Sequence, residues 1–126
     1  MTKNEAVEKQ FESAVNRFEE ALREKKTDFI RDSAILRFEF TFDLAWKYLK
    51  KYLHTNKNII CMSPNDCFKE AYQQGFIRYT NKWIDMAKQR NAAVHTYKEA
   101  LAKALYKKLP GYLKLFKKLE VALKKS

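Results

Sequence analysis

Between residues 3 and 24 apolar side chains recur at intervals of three and four: Val7, Phe11, Ala14, Val15, Phe18, Ala21 and Leu22, with Glu and Lys between them. That interval is the repeat of an amphipathic helix with one face turned to a core. Thr27 or Asp28 offers a side-chain oxygen to cap a second helix running to about Leu53, a stretch of good helix formers without Gly or Pro. Its apolar residues do not keep to one stripe. Ile30, Ala34, Phe38, Ala45 and Leu49 make one seam, whereas Leu36, Phe40, Leu44 and Trp46 spread around the cylinder. A helix apolar over so much of its girth is either the central element of a bundle or also faces a second subunit.

Residues 54–62 read as a loop. Ser63-Pro64 then supplies a cap and a first-turn proline for a short helix to about Gln74, closed by Gly75. Thr80 can cap a fourth helix through about Val94. Segment 98–124 keeps a helical period but meets Pro110-Gly111, which predicts a kink or two helices rather than one straight rod. The expected fold is all-α: a roughly antiparallel bundle of five or six helices.

Composition sharpens this picture. The 126 residues are near the usual size of one domain, and 1–126 is expected to be a single bundle domain with about two-thirds of its surface removable on folding. Two Gly and two Pro are too few turn formers for a many-stranded sandwich or barrel. Net charge is +11, and residues 98–126 hold nine of the basic residues against two acidic ones. This lysine-rich tail is either a solvated face or a phosphate-contacting surface, so nucleic acid is a candidate partner.

Arg37, Glu39, Asp43 and Lys47 interrupt the longest apolar stretch, and Lys3, Glu5 and Glu8 leave no signal-peptide core. A cytoplasmic protein without a membrane span is expected. Cys61 and Cys67 lie six apart without CxxC spacing, which fits a reduced compartment better than a disulfide framework or a zinc site. No metal and no other cofactor is expected.

The candidate chemistry lies near residue 90. On a helical wheel of about 100° per residue, Trp83, Ala87, Val94 and Tyr97 surround Arg90, which puts a guanidinium in the middle of the apolar face. A charge there needs a partner or a water-filled site. The choices are an ion pair with Glu39 or Asp43 across the bundle, a functional cleft, or a subunit seam. His95 follows five residues later. Arg and His are the side chains that metal-free phosphodiester cleavage most needs: His moves a proton at a ribose or leaving oxygen, and Arg holds the phosphate and its developing charge. On a regular helix the two point about 140° apart. They converge only if the helix ends or distorts near Val94, or if two copies of the chain share the site.

The string Arg90-Asn91-x3-His95-x-Tyr97 resembles the R-x4-6-H signature of HEPN proteins, the higher-eukaryote and prokaryote nucleotide-binding helical bundles. Ile30 through Lys47, with its core Phe38-Glu39-Phe40-Thr41-Phe42-Asp43-Leu44-Ala45-Trp46-Lys47, is similar to the long second helix of one branch, the nucleotidyltransferase substrate-binding proteins. Trp83, Met86 and the tail Ala100-Leu101-Ala102 through Tyr106 fit the same branch. The resemblance implies a homodimeric bundle acting with a minimal nucleotidyltransferase (MNT), as toxin and antitoxin or as a two-component enzyme. It implies Arg90 and His95 as the catalytic pair of a metal-independent endoribonuclease, oriented by Asn91, and Tyr97 as the residue the partner modifies with AMP.

Two functions stay open: an RNA-cutting dimer, or a non-catalytic subunit that holds a nucleotide or substrate for its MNT partner. Each site residue also has a plain structural role available. Tyr97 could be a core tyrosine, His95 an interface histidine, His54 a cation favoured by a helix C-terminus, and Trp46 and Trp83 core indoles.

Overall fold

A computed structural model of the chain describes residues 3–78 and 80–125. Five α-helices run in the order α1 (Lys3–Arg23), α2 (Asp28–Lys57), α3 (Pro64–Gln73), α4 (Thr80–Ala92) and α5 (Glu99–Lys125), with a 3-10 turn at Ala93–His95 between α4 and α5. Among the described residues there is no strand. The all-α bundle expected from the sequence is the observed fold.

Local signals set most boundaries. Thr27 caps α2, its hydroxyl accepting from the Ile30 amide at 3.1 Å, and Ser63 caps α3 in the same way through the Asp66 amide at 3.2 Å. Helix α2 outruns its expected end near Leu53 by about one turn. It stops where Asn58 enters the left-handed region at φ 55° and its amide reaches back to the His54 carbonyl, a role Asn fills with little strain. Gly75 takes φ 80° after α3, as its position predicts. Helix α4 ends two residues earlier than expected, and the chain tightens into the 3-10 turn.

Two expectations are corrected. Pro110 does not divide the last segment: α5 continues through it to Lys125. Pro110 and Gly111 are exposed, so water can serve the carbonyl that loses its donor, while Leu105, Leu109, Tyr112 and Phe116 bury the opposite face. Cys61 and Cys67 are also not separate thiols. The turn at Ser63-Pro64 brings their Cα atoms to 5.2 Å and they form a disulfide, which removes the support the cysteines gave to a reduced compartment.

Helix α2 is central, with α1, α3, α4 and α5 all packed on it. Its predicted seam holds from Ala34 onward, where Ala34, Phe38, Ala45 and Leu49 are fully buried, while Ile30 at its start is only half-buried. The core is aromatic. Phe116 of α5 meets Phe11 and Phe18 of α1, Phe38 of α2 and Trp83 of α4, with ring centroids 5.9 to 6.4 Å apart. Outside the core, α1 is tied to α5 by Glu19–Lys117 and by Glu12–Lys124 at 2.7 Å. Being central does not exhaust α2, because Leu36 and Phe40 remain about half exposed. No helix among the described residues is long and apolar enough to cross a membrane.

Candidate functional site

Arg90 lies in the last turn of α4, on the side facing α2. Its Nε and Nη2 donate to the two carboxylate oxygens of Asp43 at 3.1 and 3.0 Å, and its Nη1 donates to Glu39 Oε1 at 2.8 Å. The ion pair foreseen as one fate of Arg90 is formed, and with both candidate acids. A guanidinium carries five N–H donors, of which these bonds use three, and the side chain stays 26% exposed. The carboxylates therefore fix the plane of Arg90 and leave an edge that an anion could approach.

Electrostatics favour this anchoring. Hydrogen bonding to Asp43, with the charges of both acids, raises the Arg90 pKa further and keeps the guanidinium charged. Burial pushes the Glu39 carboxyl up from its ordinary value; Arg90 opposes that rise and the neighbouring Asp43 charge adds to it. One cation held between two acids leaves this spot with no positive surplus.

The end of α4 decides where the other candidates go. The last turn of α4 carries Arg90 and Asn91, and the 3-10 turn carries His95. Thr96 closes it, its amide and hydroxyl both donating to the Ala93 carbonyl. The helix thus ends near Val94, one of the two ways by which Arg90 and His95 could be turned toward each other. Asn91 and His95 are exposed, Tyr97 is 77% exposed, and the His95 and Tyr97 rings stand 6.2 Å apart. Tyr97 is accordingly not a core tyrosine. Thr96 and Tyr97 line a cavity of 280 Å³ together with Asp32, Ile35, Leu36 and Glu39 of α2. Glu39 therefore links the two groups, since it binds Arg90 and also faces the cavity beneath Tyr97. Arg90 and His95 make no hydrogen bond to each other among the described contacts.

Sequence reasoning missed Arg31. It is 5% exposed and ties the start of α2 to the start of α5 through Glu99 at 2.8 Å, with Asp32 at 3.1 Å. The pairing fixes α5 immediately after the 3-10 turn and so holds the loop that carries His95 and Tyr97. Its signal was faint: an arginine one turn into a helix whose neighbours Asp28 and Asp32 already account for its charge. Of the other singled-out residues, Trp83 is core and Trp46 is half-buried. His54 sits exposed in the last turn of α2, as its helix-end role predicts.

Comparison with known proteins gives concordant results. Residues 8–125 match the family model described as "Nucleotidyltransferase substrate binding protein like". A protein of Haemophilus influenzae (strain Rd), named "Probable ribonuclease HepT", is 30% identical over 90 residues, 68% of this chain and 62% of that protein; the match therefore spans less than two-thirds of the relative's length. A crystal structure of a Thermus thermophilus protein superposes with a TM-score of 0.86 at 33% identity, covering 90% of this chain and 98% of that one. The Haemophilus influenzae protein HI0074, whose fold is that of a substrate-binding domain of a nucleotidyltransferase, superposes at 0.71 with 23% identity and 96% coverage of both chains. With the Arg90–His95 segment at the end of α4, the long central α2 and a family match over nearly the whole length, the chain belongs to the nucleotidyltransferase substrate-binding family, the branch of HEPN-like helical bundles that its sequence resembles.

Proposed function

We propose that this chain is the HEPN component of a two-protein system with a minimal nucleotidyltransferase, and that it works in the cytoplasm as a homodimer that cuts RNA without a metal ion. The observation that carries this reading is the break at Ala92–His95, which leaves Arg90 anchored on α2 while it presents Asn91, His95 and Tyr97 to solvent. In the proposed reaction one His95 takes the proton of a ribose 2′-hydroxyl as its oxygen attacks the adjacent phosphorus. The bond from phosphorus to the 5′-oxygen breaks, and the second copy's protonated His95 returns a proton to that oxygen. The products are a 2′,3′-cyclic phosphate and a free 5′-hydroxyl, so the requirement for a 2′-hydroxyl restricts cutting to RNA. Arg90 holds the phosphate and its developing charge on the donors not spent on Asp43 and Glu39, and Asn91 orients the reacting groups. The exposed apolar residues Leu36 and Phe40 of α2 support a two-fold seam that brings two copies of the site together.

Tyr97 is the proposed AMP acceptor, and its exposure supports that role. An added AMP would place bulk and negative charge beside His95, blocking an RNA phosphate. The second reading, a non-catalytic subunit holding a nucleotide or substrate for its partner, is favoured by Arg90 being committed to Asp43 and Glu39 without a hydrogen bond to His95 among the described contacts. Incubating the purified chain, unmodified at Tyr97, with total RNA in EDTA decides between them. Cleavage with cyclic phosphate ends is expected; intact RNA would leave the binding subunit standing.

A further inference from the structure

One step along α2 from the Arg90 site the character of the helix changes. Residues 36, 39, 43, 47, 50 and 54 share one helical face, and all are at least partly exposed. Its first half carries the acids that hold Arg90, and its second half carries Lys47, Lys50 and His54. Lys51 stands beside them, and together with Trp46 and the segment Ile59–Cys61 these residues line a cavity of 650 Å³, the size of ordinary small-ligand sites.

Three features of this cavity bear on what it could hold. First, its charge is not neutralised. On α5, Lys103, Lys108, Lys117 and Lys124 pair with Glu99, Asp85, Glu19 and Glu12, while Lys107, Lys114, Lys118 and Lys125 form no ion pair among the described residues. Lys47, Lys50 and Lys51 form no ion pair among the described residues, and no carboxylate lines the cavity. Like charges three and four apart on a helix repel one another. The favourable end of the helix dipole reaches only the last turn, which begins at His54, so it does not account for Lys47 and Lys50. Second, the cavity has an aromatic wall. The Trp46 indole is half-buried, with Lys50 Nζ 5.6 Å from the ring centroid, and Ile59 and Ile60 face it. Third, the opposite wall is braced, because the Cys61–Cys67 disulfide ties its segment to α3.

We propose that this cavity is a second ligand site, separate from the Arg90–His95 cleft, and that it takes one nucleotide, with phosphate on Lys47, Lys50 and Lys51 and the base against Trp46. Lysine ammonium groups recognise phosphate as point charges, and an indole provides a sequence-tolerant stacking surface for a base. The nucleotide comes either free, as a nucleoside phosphate, or as one unit of an RNA strand. The second source is geometrically open, because Lys50 lies about 10 Å along the helix axis from Asp43.

The test is titration of the intact, oxidised chain with ATP, followed by calorimetry and tryptophan emission. Saturable quenching is expected and should be lost in Trp46→Phe, since the remaining Trp83 is buried. Lys47→Glu/Lys51→Glu should weaken binding by about tenfold or more, whereas Lys9→Glu/Lys25→Glu, which changes net charge equally at exposed positions elsewhere, should stay within about twofold. Circular dichroism matched to wild type shows that each variant is folded, and Lys47→Gln/Lys51→Gln should give an intermediate loss. A strand source makes short single-stranded RNA bind more tightly than ATP at the same residues; a free-nucleotide source reverses that order, and either result supports the site. Absence of saturable binding, equal weakening by the two charge-reversed doubles, or tripolyphosphate binding as tightly as ATP would overturn it. His95→Ala should bind ATP as wild type does, so failure of RNA cleavage and failure of this site are told apart.

Discussion

Arg90 has the three-sided setting that its position on an apolar face demands: a bidentate bond to Asp43, a bond to Glu39 and a partly exposed edge. Its partners were legible in the sequence, since the facing helix offers acids at 39 and 43 with the right spacing. The disulfide was not legible, because a six-residue separation says nothing about the reversal at Ser63-Pro64 that closes it. The carboxylates also make stability depend on pH. Hydrogen bonding to Lys117 holds the Glu19 carboxyl below its ordinary value of 4.5, and hydrogen bonding to Arg31 does the same for Glu99. A carboxyl lowered on folding contributes stability that is present above the unfolded value and lost as pH falls through the folded one. Glu39 is raised, mainly by burial; its contribution is present below the unfolded value and is lost as pH rises through the folded one. Urea unfolding should therefore show wild type losing stability below about pH 4.5, and Glu19→Gln/Glu99→Gln losing less of it over the same range. Equal acid sensitivity in the two proteins would refute this assignment.

Helix α2 shows how a pattern can be read correctly and still leave two explanations. Its wide apolar girth pointed to a central helix or a subunit face; the structure makes it central and still leaves Leu36 and Phe40 half exposed. Of the kink or two helices expected at Pro110, the division into two is not found, although local propensity argues for a break there. The buried row Leu105, Leu109, Tyr112 and Phe116 outweighs it, and that row depends on partners from other helices which no local window contains. Phe116 joins α1, α2 and α4 through ring contacts. Phe116→Ala should cost about 3–5 kcal/mol in chemical denaturation. A loss below about 1 kcal/mol would mean that the aromatic hub is not what holds α5 to the bundle.

At the scale of the whole molecule, the helical bundle and its membership of the substrate-binding family were both legible, the first from periodicity and composition and the second from motifs at Phe38–Lys47 and Arg90–Tyr97. Assembly was not, since an exposed apolar pair does not itself name its partner. The proposed dimer predicts a sedimenting species of twice the 15.0 kDa chain mass at micromolar concentration; a clean monomer would remove the two-copy site. The central claim is that His95 moves a proton rather than merely binding RNA, and paired measurements of cleavage rate and RNA affinity in wild type and His95→Ala test it most directly. The account predicts a rate lowered by about 10² to 10⁴ with affinity within a few-fold. A variant that cuts as fast as wild type, or that loses its rate only in proportion to lost affinity, would contradict it.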